Sequence, residues 1–188
     1  MILDQLPLAG AYNVRWSASR DQRGAFGRLF CAESFAKAGL VSQWAQTNLS
    51  RSSARGTLRG MHYQTAPFAE TKLLVCLTGR IFDVLVDMRP RSASFGRWIS
   101  LTLDGALGDG VYIPAGIAHG FQTLSEDVML HYSHSHPYRP AHQAGLHYGD
   151  PDLAIDWPLT PVAVSERDRA LPCFSRVTDD LQKERAPQ

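Results

Sequence analysis

His62 stands in the segment Gly56-Thr-Leu-Arg-Gly-Met-His-Tyr-Gln64, with Arg55 and Arg59 close by. Imidazole ionises nearest to neutral pH, which makes His62 a candidate general base, although a lone histidine in a strand is more often a satisfied core or surface residue. If the segment is a strand, alternation sends Met61 and Tyr63 to one face and Leu58, Gly60, His62 and Gln64 to the other. That arrangement puts His62 and Gln64 on an interior wall, where polar groups need a ligand or partners to offset desolvation. A second segment, Leu130-His-Tyr-Ser-His-Ser-His-Pro-Tyr-Arg-Pro140, carries two phenols and three histidines. Tyr132 and Tyr138 can donate a proton to an enolate, more readily where cations lower the phenol pKa, or can lay a ring on a sugar or base; packing in a strand is their ordinary role. His131, His134 and His136 invite a metal reading. Alternation separates His131 from the other two, and solvated edge histidines are the expectation.

The elements that must position these groups are short β segments between about residues 43 and 135: 73–77, 81–86, 98–103, 111–113 and 128–132. Gly, Pro and Asp punctuate them, with no helical periodicity between. This pattern predicts an antiparallel sandwich or barrel and disfavours parallel βαβ units. Helical signal is confined to the flanks, at 32–38 ending on Gly39 and at 165–170 with Ser165 as N-cap. Repeats, low-complexity tracts and linkers are absent, so residues 1–188 read as one domain with a flexible polar tail over about 179–188.

The chain has 188 residues, 44% hydrophobic and 20% charged, the composition of a folded protein. No apolar run approaches the ~20 residues of a membrane span, and the N-terminus lacks the order of a signal peptide. A net charge of +1 gives bulk attraction to nucleic acid no support. Among 19 cations only Lys37, Lys72 and Lys183 are lysines. Guanidinium suits bidentate phosphate or carboxylate contacts, and a high-GC genome would give the same bias. Cys31, Cys76 and Cys173, odd in number and without CxxC spacing, point to a reducing cytoplasm and away from disulfides or structural zinc.

Gly56, His62, Glu70 and Gly79, followed by Gly108, Pro114, Gly116 and His119, resemble the two cupin motifs of small β-barrels, with Glu70 and Gly79 slightly late. A metal-binding cupin would have a second histidine where Gln64 stands. An amide is a poor transition-metal ligand, so the expectation is no metal and no cofactor.

The ordered segments go further. Asp21-Gln-Arg-Gly-Ala-Phe26, Gln46-Thr-Asn-Leu-Ser50, Leu58-Arg-Gly-Met-His-Tyr-Gln64, Asp83-Val-Leu-Val-Asp-Met-Arg89, Ile113-Pro-Ala-Gly-Ile-Ala-His-Gly-Phe121, Ile155-Asp-Trp-Pro158 and Ser165-Glu-Arg-Asp168 resemble the dTDP-4-dehydrorhamnose 3,5-epimerases across about 21–172. The resemblance implies an all-β, cupin-type jelly roll with short flanking helices, and a nucleotide-linked 4-keto-6-deoxy sugar as substrate. It also implies catalytic roles: His62 as base, Asp168 as its orienting carboxylate, Lys72 beside the enolate oxygen and Tyr132 as the acid on the other wall. Arg23 and Arg59 are similar to pyrophosphate ligands. Gln46, Asn48, Phe26, Tyr138 and Gln143 fall at nucleotide or sugar contacts. His119 and Asp83 match a second His and Asp in the barrel, where structural hydrogen bonding is an equal reading. N-terminal strands exchanged in a homodimer, with Arg23 or Phe26 reaching the partner's site, are implied as well.

Two positions depart from the family pattern. Arg28 replaces a glutamate near the nucleotide end, and Gln143 replaces a glutamate after Tyr138-Arg-Pro140. Both put substrate identity, rather than reaction type, in question. The expected activity is inversion at carbons 3 and 5 of a dTDP-4-keto-6-deoxyglucose-type sugar. The alternatives are a single-centre (3- or 5-) epimerase acting on a different 4-keto nucleotide sugar, a non-catalytic sugar- or nucleotide-binding cupin, which would be expected to lose His62 or Asp168, and a metal-dependent cupin, which Gln64 opposes.

Overall fold

Along each central strand successive side chains go to different cores. In β7 (Lys72–Thr78), Leu74 and Cys76 enter one hydrophobic cluster while Leu73 and Val75 enter another. In β8 (Arg80–Asp87), Ile81 and Leu85 join the first cluster, and Val84 and Val86 join a third. That two-residue period is what a sheet covered on both faces requires. The computed structural model describes the backbone of residues 1–183 and the side chains through Thr178.

The remaining strands are β1 (Ile2–Gln5), β2 (Tyr12–Arg15), β3 (Ser19–Asp21), β4 (Gly24–Phe26), β5 (Gln46–Ser52) and β6 (Leu58–Gln64), then β9 (Trp98–Asp104), β10 (Gly110–Ile113), β11 (Ile117–Thr123), β12 (Val128–His134) and β13 (Gln143–Gly145). They form a six-stranded sheet, β1-β2-β10-β7-β12-β5, and a five-stranded sheet, β13-β6-β11-β8-β9, while β3 and β4 pair only with each other. Every pairing between these strands is antiparallel. The two sheets face each other across the cluster of Leu74, Leu85, Ile113, Phe121 and Leu130, an antiparallel sandwich as the strand spacing predicts and of the jelly-roll type that the family resemblance implies.

Helix α1 (Ala32–Lys37) seats Phe35 against the outer face of the larger sheet beside Tyr112, and it ends where Gly39 adopts φ +71. Helix α2 (Glu166–Arg169) is capped by Ser165, whose Oγ accepts from Asp168 N at 3.1 Å. Helix α3 (Phe174–Lys183) was not foreseen. Its start is held by Phe174 N donating to Asp150 Oδ2 at 2.5 Å and by Phe174 packing on Phe95. The backbone of this helix continues through 179–183, into the tail expected to be flexible from about 179. Residues 184–188 of that tail lie outside the described residues. Among the described residues no helix is long and apolar enough to cross a membrane.

Candidate active site

A cavity of about 910 Å³ opens between the two sheets. Strand parity explains why it is polar. His62 on β6, Lys72 on β7, His119 on β11 and Tyr132 on β12 all occupy inward positions, whereas Met61 and Tyr63 pack on the outer side of the smaller sheet with Leu146 and Leu153. His62 and Tyr132 stand on different sheets, so the cavity lies between them.

His62 Nε2 lies 2.8 Å from Asp168 Oδ1. The other oxygen of Asp168 accepts from Gly60 N at 3.1 Å. Gly60 has φ +127, and a Cβ there would lie 2.5 Å from Gly120 Cα, so only glycine lets the strand turn this amide toward the carboxylate. Burial by itself would raise the Asp168 carboxyl. The hydrogen bonds from His62, Gly60 and Ser165 outweigh it and hold the group below its ordinary value.

Lys72 is buried. Its Nζ lies 3.0 Å from Glu70 Oε1 and donates to the His62 carbonyl at 3.0 Å. An ammonium has three protons, so one donor is left after these two contacts. His119 Nε2 lies 2.6 Å from Asp83 Oδ1, with Asp83 completely buried. Burial raises the Asp83 carboxyl, and the neighbouring His119 and Lys72 act against that rise. The edge of Tyr132 faces His119 with ring centres 6.0 Å apart.

Several expectations need correction. The Tyr132 phenol is not lowered by cations: burial and the Asp83 carboxylate raise its pKa, and Arg59 only partly opposes them. Asp83, expected among substrate contacts, does not line the cavity and sits beneath it as the partner of His119. Arg23 and Phe26 do not line their own chain's cavity but lie on the exposed β3–β4 hairpin, Arg23 paired with Asp21 at 2.7 Å and Phe26 84% exposed, a placement compatible with the expectation that they reach a partner's site. Two three-residue strands with no third strand or core behind them cannot bury those side chains. The expectation of solvated edge histidines fails for His134. β12 lies between β7 and β5 rather than at an edge, and parity with Tyr132 turns His134 to the cavity. Burial, then the charges of Lys72 and His119, press its imidazole pKa down to about 4. His136 is exposed at the cavity rim.

Arg59, Gln46, Asn48, Tyr138 and Gln143 all line the cavity as expected. Gln143 stands opposite Gln64 in the β13–β6 pairing, and its Oε1 is buried without a hydrogen-bond partner. Gln64 itself is structural: Nε2 donates to Phe68 O at 3.0 Å, and Oε1 accepts from Arg139 N at 2.6 Å. Arg28 is exposed and does not line the cavity. Residues not singled out as contacts include Glu70, Arg167 and Arg169. Only Glu70 had a signal in the sequence, its position in the first cupin motif.

The chain matches the family model described as dTDP-4-dehydrorhamnose 3,5-epimerase over residues 5–176. The chain belongs to that family. It is an isomerase of the epimerase class with a cupin-type fold. A dTDP-4-dehydrorhamnose 3,5-epimerase of Sinorhizobium fredii is 38% identical over 183 residues, covering 97% of this chain and 94% of the relative. A dTDP-4-dehydrorhamnose 3-epimerase of Streptomyces niveus is also 38% identical, over 170 residues, 90% of this chain and 82% of the relative. A crystal structure of the 3,5-epimerase RmlC from Legionella pneumophila in complex with dTDP-4-keto-L-rhamnose superimposes with a TM-score of 0.89 at 34% identity, covering 96% of each chain. Family membership thus rests on most of the epimerase's length.

Proposed function

We propose that this epimerase inverts carbons 3 and 5 of a dTDP-4-keto-6-deoxyglucose-type sugar, in the synthesis of dTDP-L-rhamnose or a related deoxysugar. The supporting observation is the pairing of a carboxylate-bound histidine on one sheet with a phenol on the other, across one cavity. Inversion requires a proton to leave one face of the sugar and another to arrive on the opposite face.

The substrate's C4 ketone acidifies the protons on both neighbouring carbons. Asp168 accepts the Nε2 proton of His62, which leaves the Nδ1 lone pair as the base and lets the carboxylate stabilise the imidazolium that forms. As the carbanion delocalises into an enolate, the remaining Lys72 proton meets the charge on the C4 oxygen. Tyr132, held protonated by its surroundings, delivers a proton to the opposite face and is recharged from solvent. His119 and Asp83 hold the floor beneath it. Once His62 has released its proton to solvent, repetition at the second carbon completes the double inversion, with no cofactor in the cycle.

Arg59 would take the diphosphate by its bidentate fork, while Gln46, Asn48, Tyr138 and Gln143 would contact nucleoside and sugar. Arg23 and Phe26 would serve a partner's cavity in a homodimer, a reading supported by a hairpin that projects an aromatic ring into open space. A nucleotide-sugar substrate and three free thiols suit the cytoplasm.

Single-centre inversion is the second reading, favoured by one observation: the 3-epimerase relative is as similar as the 3,5-epimerase one. Incubation with dTDP-4-keto-6-deoxyglucose in deuterated water separates the two. Deuterium at carbons 3 and 5 is expected, deuterium at one carbon selects the second reading, and none at either would refute both for this sugar.

A further inference from the structure

One wall of the cavity carries a polar chain that ends on His134, a residue the proposed chemistry leaves unused. It begins at Tyr138, whose backbone N–H donates to Gln46 Oε1 at 2.9 Å. Gln46 Nε2 then donates to Asn48 Oδ1 at 3.1 Å, and Asn48 Nδ2 meets His134 Nε2 at 3.3 Å. A backbone amide can only donate, so its direction propagates. Gln46 must turn its oxygen toward Tyr138, Asn48 must turn its oxygen toward Gln46, and Asn48 therefore presents N–H to the imidazole. Nε2 of His134 must accept, which places the single proton of the neutral ring on Nδ1. A proton on Nε2 would set two donors face to face.

The ring so fixed lies almost parallel to Tyr132, at 13° with centres 5.9 Å apart. His119 bounds the same phenol edge-on at 6.0 Å. Tyr132 thus has two imidazole neighbours, one stacked and one edge-on, and of these only His134 is tied to the Tyr138 segment.

We propose that His134 is a positioning residue for Tyr132: the amide chain from Tyr138 holds it as the Nδ1–H tautomer, and its stacked ring sets the tilt of the phenol and thereby the share of proton delivery to the sugar's two carbons. This deepens the epimerase reading and rests on it. The low imidazole pKa accords with a ring kept neutral on a wall that already holds Lys72 and His119.

The test has two arms. In the first, long-range proton–nitrogen correlation on 15N-labelled protein at pH 7, with the His134 signals assigned by their loss in His134→Phe, should show an Nδ1–H tautomer. An Nε2–H tautomer overturns the proposal whether or not the protein turns over any sugar. In the second arm, deuterium at carbons 3 and 5 is scored for wild type, His134→Ala and His134→Phe. His134→Ala should lower kcat by about tenfold or more at nearly constant KM and change the ratio of label at the two carbons, while His134→Phe, which keeps a stacked ring, should retain the wild-type ratio. A ratio unchanged in His134→Ala, or lost equally in both variants, overturns the positioning role. A wild type that exchanges neither carbon overturns the epimerase reading and leaves the tautomer to decide the first arm.

Discussion

Asp168 receives both the imidazole of His62, 106 residues away in sequence, and the backbone N–H of Gly60 on the same strand as that histidine. One carboxylate thus fixes the ring and the strand that carries it. His62→Ala should fold and still bind dTDP, but lose exchange at both carbons by about 10²–10⁴-fold, the usual worth of a positioned general base. Exchange surviving at either carbon, read by mass spectrometry in deuterated water, would show a second base. Asp168→Asn should lose a comparable factor in kcat, because an amide no longer stabilises the imidazolium.

Lys72 and Glu70 form a buried pair through Glu70 Oε1, and Glu70 Oε2 is buried without a hydrogen-bond partner. Removing the cation alone, as in Lys72→Met, should therefore cost about 3–5 kcal/mol of stability as well as activity. The double variant Lys72→Met/Glu70→Leu should recover most of the stability in urea titrations and none of the turnover. Recovered turnover would show that the charge serves only the fold.

Tyr132 packs against the central core with its hydroxyl pKa raised. Tyr132→Phe keeps the ring that makes that packing and removes the hydroxyl that carries the proton. The expected result is a melting temperature within about 2 °C of wild type, given the few degrees that 1 kcal/mol is worth in a domain of this size, with inversion falling by at least about tenfold. A variant that inverts both centres at the wild-type rate would exclude the phenol as the acid.

Asp87 makes acid stability a further test. Burial would raise its carboxyl, but hydrogen bonds from Arg89, Ser92 and Ser94 bring it down to about 2. A group whose folded pKa lies below its unfolded value of about 3.9 contributes its stability above that pH, and the contribution fades as pH falls toward 2. Asp87→Asn should cost about 2 kcal/mol at pH 6 and little at pH 2, measured by denaturant midpoints at the two pH values. An equal loss at both would mean that packing, rather than ionisation, is what Asp87 contributes.

The strands were legible from the sequence because alternation and punctuation are local properties, and the segments 73–77, 81–86 and 98–103 lie inside β7, β8 and β9. His62 with Gln64, and Met61 with Tyr63, sorted to opposite faces for the same reason. What each polar group touches is not local. That Gln64 braces two loops, that Asp83 serves His119 from beneath the cavity, and that His134 lies inside rather than at an edge all depend on which strands become neighbours. A sequence does not reveal neighbours until the sheets have paired. Helix α3 belongs to the same class, since Phe95 and Asp150 supply what its own polar residues lack. The sequence by itself determined the strand faces, the base and its carboxylate by type and motif, and the family. Only the tertiary structure decided burial, and burial is what separates a charged group that binds from one that holds the floor.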